Sequence, residues 1–79
     1  MSSSAELVEF LARRLVNDPD AVRVEEVERD GDTVIELYVA KDDVGQVIGR
    51  QGRLARALRT VVRAGGVEAG RRLQLEIAD

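Results

Sequence analysis

Two runs of apolar and polar residues flank Asp30-Gly31-Asp32, and that arrangement narrows the fold class more than any other stretch of the chain. Asp-Gly supplies the positive φ that a tight primed turn needs, so "AVRVEEVER" (21–29) and "TVIELYVA" (33–40) are expected to pair as an antiparallel hairpin. In the second strand Ile35, Leu37 and Val39 share one face, and Val34, Glu36 and Tyr38 share the other. In the first, Val22 and Val24 alternate but Val27 falls out of step, which predicts a bulge or twist near Glu25–Glu26.

Outside the hairpin the period lengthens to that of a helix. Ser3 and Glu6 have the spacing of a capping box, and Leu7, Leu11 and Leu15 recur every four residues with Val8 and Phe10 beside them. A helix over 4–17 is expected, with Phe10 in its core face, stopped by Pro19 acting on Asp18. "KDDVGQVI" (41–48) suits about two helical turns with Asp42 or Asp43 as the cap. "RLARALRTVVRA" (53–64) places Leu54, Ala57, Leu58 and Val61 on one stripe and Arg53, Arg56, Thr60 and Arg63 opposite, with Gly65-Gly66 as its terminator. "RRLQLEI" (71–77) closes the chain as a strand with Leu73, Leu75 and Ile77 inward. The order αββααβ implies an α+β two-layer sandwich. A three-stranded mixed sheet carries three helices on one face, its last strand is parallel to the second, and Glu36, Tyr38, Gln74 and Glu76 lie on the open face.

A length of 79 residues allows one small domain, 1–79, and no second core. Without cysteine or histidine the chain lacks thiolate ligands, the commonest metal ligand and the usual general base. An enzyme is therefore the weakest functional class, and neither a cofactor nor a metal is expected. No stretch reads as a signal peptide or membrane span, so a cytoplasmic protein with no membrane partner is expected. The net charge of −3 hides a division. Residues 1–40 hold ten acids and four bases, whereas Arg50–Arg72 holds seven arginines and one acid, Glu68. Such a stripe is either a solvated helix face or the footprint of an anionic partner.

"VIGRQG" (47–52) bears on that choice. Gly52 falls at the start of the long helix, where unpaired N–H groups and the helix dipole favour an anion. Glycines at 49 and 52 let a sugar-phosphate chain approach the backbone, Arg50 and Arg53 supply charge-assisted donors, and Gln51 a neutral one. Arg56 lies about one turn further on, while Arg59 and Arg63, about 9 and 15 Å along the axis from Arg53, read as solvated charge. Val47 and Ile48 offer apolar surface for bases, in a groove walled by the two helices and the edge of the second strand, near Val44, Leu54 and Leu58. With one tyrosine, one phenylalanine and no tryptophan, no aromatic stacking platform is available, and Tyr38 reads as a sheet-surface residue. Turn chemistry alone would also explain two glycines three apart.

Placed between two helices inside β-α-α-β, "VIGRQG" resembles the GXXG loop of the K-homology (KH) domain, in its type II element order, over residues 5–78. "VIGRQGRLARALRTVVRA" is similar to the bacterial KhpA family of small stand-alone KH proteins, with arginine where lysine is frequent. The resemblance implies binding of single-stranded RNA at Gly49–Arg53, with Val47, Ile48 and Arg56 contributing. It also implies an RNA-chaperone role, a larger KhpB-like KH partner, and a part in cell-shape and envelope homeostasis. A protein-interaction module or homodimer with little RNA affinity of its own is the alternative, and single-stranded DNA is not distinguished from RNA.

Overall fold

The computed structural model describes residues 2–78. Its elements are α1 (Ser3–Leu15), β1 (Arg23–Arg29), β2 (Asp32–Tyr38), α2 (Val44–Ile48), α3 (Arg53–Ala69) and β3 (Leu73–Ile77), with single 3₁₀ turns at Pro19–Ala21, Lys41–Asp43 and Arg50–Gly52. The sheet order is β1-β2-β3, antiparallel between β1 and β2 and parallel between β2 and β3. Ile35, Leu37, Val24, Leu73 and Leu75 from the sheet pack with Ala5, Val8, Ala12, Val47, Leu58 and Val62 from the helices in one core. This is the expected αββααβ two-layer arrangement. Among the described residues no helix is long and apolar enough to cross a membrane.

The hairpin forms as its turn chemistry demands, with Asp30 at φ 51° and Gly31 at φ 85°. The expected bulge is absent: Arg23↔Tyr38 through Arg29↔Asp32 pair one to one. Val27 is out of step because the core-side position before it is taken by Glu26, whose Oε1 accepts from the Ser2 backbone N–H at 2.6 Å. That hydrogen bond, with a second from the Ser2 side chain, holds the Glu26 carboxyl below its ordinary pKa. Val27 instead pairs with Val34 on the open face, where Arg29 reaches Glu36 and Glu76 at 3.0 Å each across the three strands.

Helix α1 departs from expectation at its start and on its surface. Ser2, not Ser3, is the N-cap, and its hydroxyl accepts from the Ala5 N–H at 3.1 Å, so the Ser3–Glu6 capping box does not form. The helix stops at Leu15, two residues short of the expected 17. The inward stripe is Ala5, Val8 and Ala12, whose small side chains let α1 sit close to α3. Phe10 is 53% exposed, with the Arg14 guanidinium 4.6 Å over its ring, so it is not a core residue.

Helix α3 runs through Gly65-Gly66 to Ala69 and ends at Gly70, φ 70°. There the Arg71 N–H bonds the Gly66 carbonyl at 2.8 Å and the Gly70 N–H the Val67 carbonyl at 3.1 Å, the paired bonds of a Schellman motif. Gly66 has a packing reason: a Cβ there would lie 2.7 Å from the Arg71 carbonyl oxygen, because the chain folds back over the helix to enter β3. The buried stripe of α3 is Ala55, Leu58, Val62 and Gly66. Ala57 and Val61, expected inside, are exposed.

Candidate nucleic-acid interface

The short helix α2 is positioned by a buried carboxylate. Asp43 accepts the Asp18 backbone N–H at 3.0 Å, tying the segment after α1 to the start of α2. No side chain caps α2, so neither Asp42 nor Asp43 plays the expected capping role. Val47 is fully buried in the core, which withdraws it from the expected ligand-facing surface and makes it the anchor of α2. Ile48, next to it, is 38% exposed and remains at the surface.

From Gly49 the chain turns through an unusual run of backbone conformations. Gly49 sits at φ 76°, ψ 172°, Gln51 at φ 57°, ψ 24° and Gly52 at φ 73°, ψ 11°. The ψ of Gly49 at positive φ is a region essentially reserved for glycine. A Cβ on Gly49 would also stand 2.7 Å from Cβ of Leu54. The loop therefore presses against the first turn of α3 with no side chain between them. The Gly52 N–H bonds the Gly49 carbonyl at 3.1 Å, closing one tight turn.

Arg50, Gln51 and Arg53 project from this turn and are exposed. Arg56 is exposed as well, but its Nη1 donates to the Gln51 carbonyl at 3.1 Å. It thus braces the left-handed residue of the loop as well as adding charge. No side chain caps α3, so the positive end of a seventeen-residue helix opens at Gly52. Among the described residues no carboxylate approaches Arg50, Arg53, Arg56, Arg59 or Arg63 within 4.0 Å.

The expected groove wall at the edge of the second strand does not exist. β2 is the central strand and is paired on both sides. The free edge beside α3 belongs to β3, and a cleft of about 570 Å³ lies between them. Its walls are Arg59, Arg63 and Val67 of α3 and residues 71–75, with Asp32 at the end of the hairpin. Arg59 and Arg63, expected to be solvated charge, thus share a concave surface with Arg71 and Arg72 over an apolar floor of Leu73 and Leu75. Sequence reasoning missed this surface because it depends on how α3 lies against the free edge of β3 and on α3 continuing past Gly65-Gly66. The one available signal was the arginine spacing 56, 59, 63, which keeps those side chains on neighbouring positions of one helix face.

Arg71 is fixed by Nη2 donating to Thr33 Oγ1 at 2.7 Å, while that hydroxyl donates to Glu28 Oε2 at 3.0 Å. Both aromatic rings lie elsewhere: Phe10 on α1, and Tyr38 on the open face under Arg23 at 4.3 Å. Glu36 accepts the Tyr38 hydroxyl and raises its pKa. The site therefore combines a glycine turn at an uncapped helix start, a line of unpaired arginines, and an apolar-floored cleft with no aromatic platform.

Known proteins resemble this chain over most of its length. Residues 5–77 match the family model described as "KhpA/KhpB, KH domain". A protein of Aquifex aeolicus named RNA-binding protein KhpA is 48% identical over 79 residues, the whole of both chains. Its namesake in Halalkalibacterium halodurans is 51% identical over 73 residues, 92% of this chain and 96% of that one. The Bacillus subtilis protein of the same name is 43% identical over 74 residues, 94% and 91% of the two chains. Among solved structures, Era of Aquifex aeolicus, crystallised with GDP and AlF4−, aligns with a TM-score of 0.61 over 94% of this chain and 29% of its own. At 23% identity that likeness is one of fold. The family match spans nearly all of the chain that folds around the glycine turn, and the relatives match it over nine-tenths or more of their own lengths, so the chain belongs to the KhpA/KhpB KH-domain family.

Proposed function

We propose that this chain binds single-stranded RNA, holding the sugar-phosphate backbone at Gly49–Arg53 and laying bases along the cleft between α3 and β3. The observation that carries the reading is the conformation of the loop. Gly49, with no room for a Cβ, and Gly52, at an uncapped helix start, put bare backbone beside unpaired Arg50 and Arg53. Backbone N–H groups at a helix start and charged donors beside them suit phosphate oxygens. Ile48 and the cleft floor suit bases, and the arginines on α3 provide a continuous positive track over about 15 Å. The names of the relatives support the same partner, and the family is one of RNA-binding KH proteins, not of enzymes.

By family resemblance the reading extends to an RNA-chaperone activity in the cytoplasm, exercised with a larger KhpB-like KH protein and serving cell-shape and envelope homeostasis. A second reading, a protein-interaction module or homodimer with little RNA affinity alone, is favoured by one observation. Val67 on α3 is 81% exposed, with Val61 on the same helix and Leu7 and Phe10 on α1 also exposed.

Titration of an eight-nucleotide RNA against the full chain by fluorescence anisotropy over a salt series separates the two. Three phosphate contacts give a slope of log K against log salt of roughly −2, at about −0.7 per phosphate for single strands. Absence of RNA binding at low salt, with the chain migrating as a dimer or with a protein partner, would favour the second reading instead.

A further inference from the structure

The geometry points to Arg56 as a positioning residue of the Gly49–Gly52 turn, one that holds the backbone in the form that receives phosphate and makes no phosphate contact itself. The inference rests on the RNA-binding reading of that turn. Of Arg50, Arg53, Arg56, Arg59 and Arg63, Arg56 alone donates a side-chain hydrogen bond to another part of the chain among the described residues. Its Nη1 reaches the Gln51 carbonyl at 3.1 Å and lies 3.5 Å from where a Cβ on Gly52 would stand. The guanidinium therefore rests against bare backbone at the end of the turn.

The peptide unit it holds is the one with the most freedom to move. Gln51 (φ 57°, ψ 24°) and Gly52 (φ 73°, ψ 11°) are left-handed residues in succession, and for Gln51 that conformation carries a steric cost. Gly52 has no Cβ, so negative φ is as open to it as positive φ. Rotating ψ of Gln51 together with φ of Gly52 turns over the peptide plane between them while the flanking chain stays in place. Hydrogen bonds at both ends of that plane oppose the flip. The Gly52 N–H donates to the Gly49 carbonyl at 3.1 Å, and the Gln51 carbonyl accepts from Arg56. The first bond closes the turn from within, and the second ties it to the first turn of α3.

Losing the second bond has a consequence for an anionic ligand. The Gln51 oxygen is freed from its guanidinium, leaving an unneutralised acceptor in the turn that is to hold phosphate. A turn that visits the flipped form binds only in the fraction that is not flipped, and the apparent affinity falls by that fraction. Arg50 and Arg53 make no comparable bond, so their donors remain for phosphate oxygens. The arginines around the turn thus divide into those that meet the ligand and one that shapes the backbone.

The test uses the full chain, octauridylate as the RNA, and Arg56→Met, which removes the guanidinium and keeps a good helix former. Arg53→Met is the comparison. Anisotropy titrations across a salt series give affinity and slope, and amide exchange with water follows Gly52 in the RNA-free chain. In Arg56→Met the affinity is expected to fall about tenfold, as a competent fraction reduced to about a tenth requires. Its slope of log K against log salt stays within about 0.3 of the parent's, whereas Arg53→Met loses about 0.7, the worth of one phosphate contact on a single strand. Exchange at Gly52 accelerates in Arg56→Met, because the flip breaks its bond to Gly49, while the thermal midpoint stays within a few degrees. An unchanged affinity, a slope reduced by about 0.7, or unaltered Gly52 exchange in Arg56→Met overturns the assignment alone. If the parent fails to bind octauridylate even at low salt, the RNA-binding reading fails, and the role of Arg56 fails with it.

Discussion

Replacing Arg50 and Gln51 together by aspartate reduces RNA affinity by at least about a hundredfold while the thermal midpoint moves by only a few degrees. Each hydrogen bond from a charged donor is worth about 1.5–3 kcal/mol, and about 1.4 kcal/mol is tenfold in affinity. The double change removes one such donor and one neutral donor, and then sets two negative charges against the phosphate. The fold tolerates it for identifiable reasons. Both side chains are exposed, and the bond bracing the turn runs from Arg56 to the backbone carbonyl of Gln51, which the substitution keeps. Gln51 sits at φ 57°, ψ 24°, a left-handed conformation in which aspartate is among the better tolerated residues. Anisotropy titration for affinity and circular-dichroism melting for stability check the two halves of the result. Undiminished RNA binding by the folded variant would show that the loop does not hold the ligand.

The second large effect is on the loop itself. Gly49→Ala lowers stability by about 2 kcal/mol or more, since strain at such a backbone position alone costs about 1–3 kcal/mol. The added Cβ would meet Leu54 Cβ at 2.7 Å and the Leu54 nitrogen at 3.1 Å, atoms of a helix start that cannot rotate away. For a domain of this size the midpoint falls by about 8–16 °C per 2 kcal/mol. RNA binding drops as well, even well below the midpoint, because relief of the clash means lifting the turn off α3. Gly52→Ala is the milder comparison. Its φ 73°, ψ 11° lies in the left-handed helical region, costing about 1–2 kcal/mol, and the nearest atom to its Cβ would be the mobile Arg56 Nη1 at 3.5 Å. Thermal unfolding of the two variants side by side orders them, with Gly49→Ala the lower.

The parts of this molecule legible from sequence are those whose geometry is decided within a few residues. Asp30-Gly31 dictates its own turn, and Gly49 and Gly52 mark a corner at a helix start whatever surrounds them. The alternation of Ile35 and Leu37 and of Leu73 and Leu75 assigns faces to two strands, and the element order leaves few ways to assemble them.

The misreadings arise where a residue answers to a distant partner. Glu26 takes a core-side position because the start of α1 needs an acceptor, and this displaces Val27 to the open face. Gly65 and Gly66 look like a terminator, yet they are the places where α1 and the returning chain touch α3: a Cβ on Gly65 would strike Ser4 Oγ, and one on Gly66 the Arg71 carbonyl. Asp43 has the local spacing of a cap and spends its carboxylate on Asp18 instead. The same holds in the candidate site. Arg50, Gln51 and Arg53 are exposed on the turn, as local reasoning requires, whereas Val47 is claimed by the core and the β3 side of the cleft emerges only from how α3 lies along the free sheet edge.

The central claim, that the Gly49–Arg53 turn and the α3–β3 cleft together form one RNA surface, is tested most directly by nuclear magnetic resonance. Uniformly nitrogen-15-labelled chain is titrated with an eight-nucleotide RNA while every backbone amide is followed. The expected result is a contiguous set of shifting amides from Gly49 to Arg53, continuing along Arg59, Arg63 and Val67 and across to residues 71–75. Shifts confined to the open sheet face around Arg23, Glu36, Tyr38 and Glu76, with the amides of the turn unmoved, would contradict it.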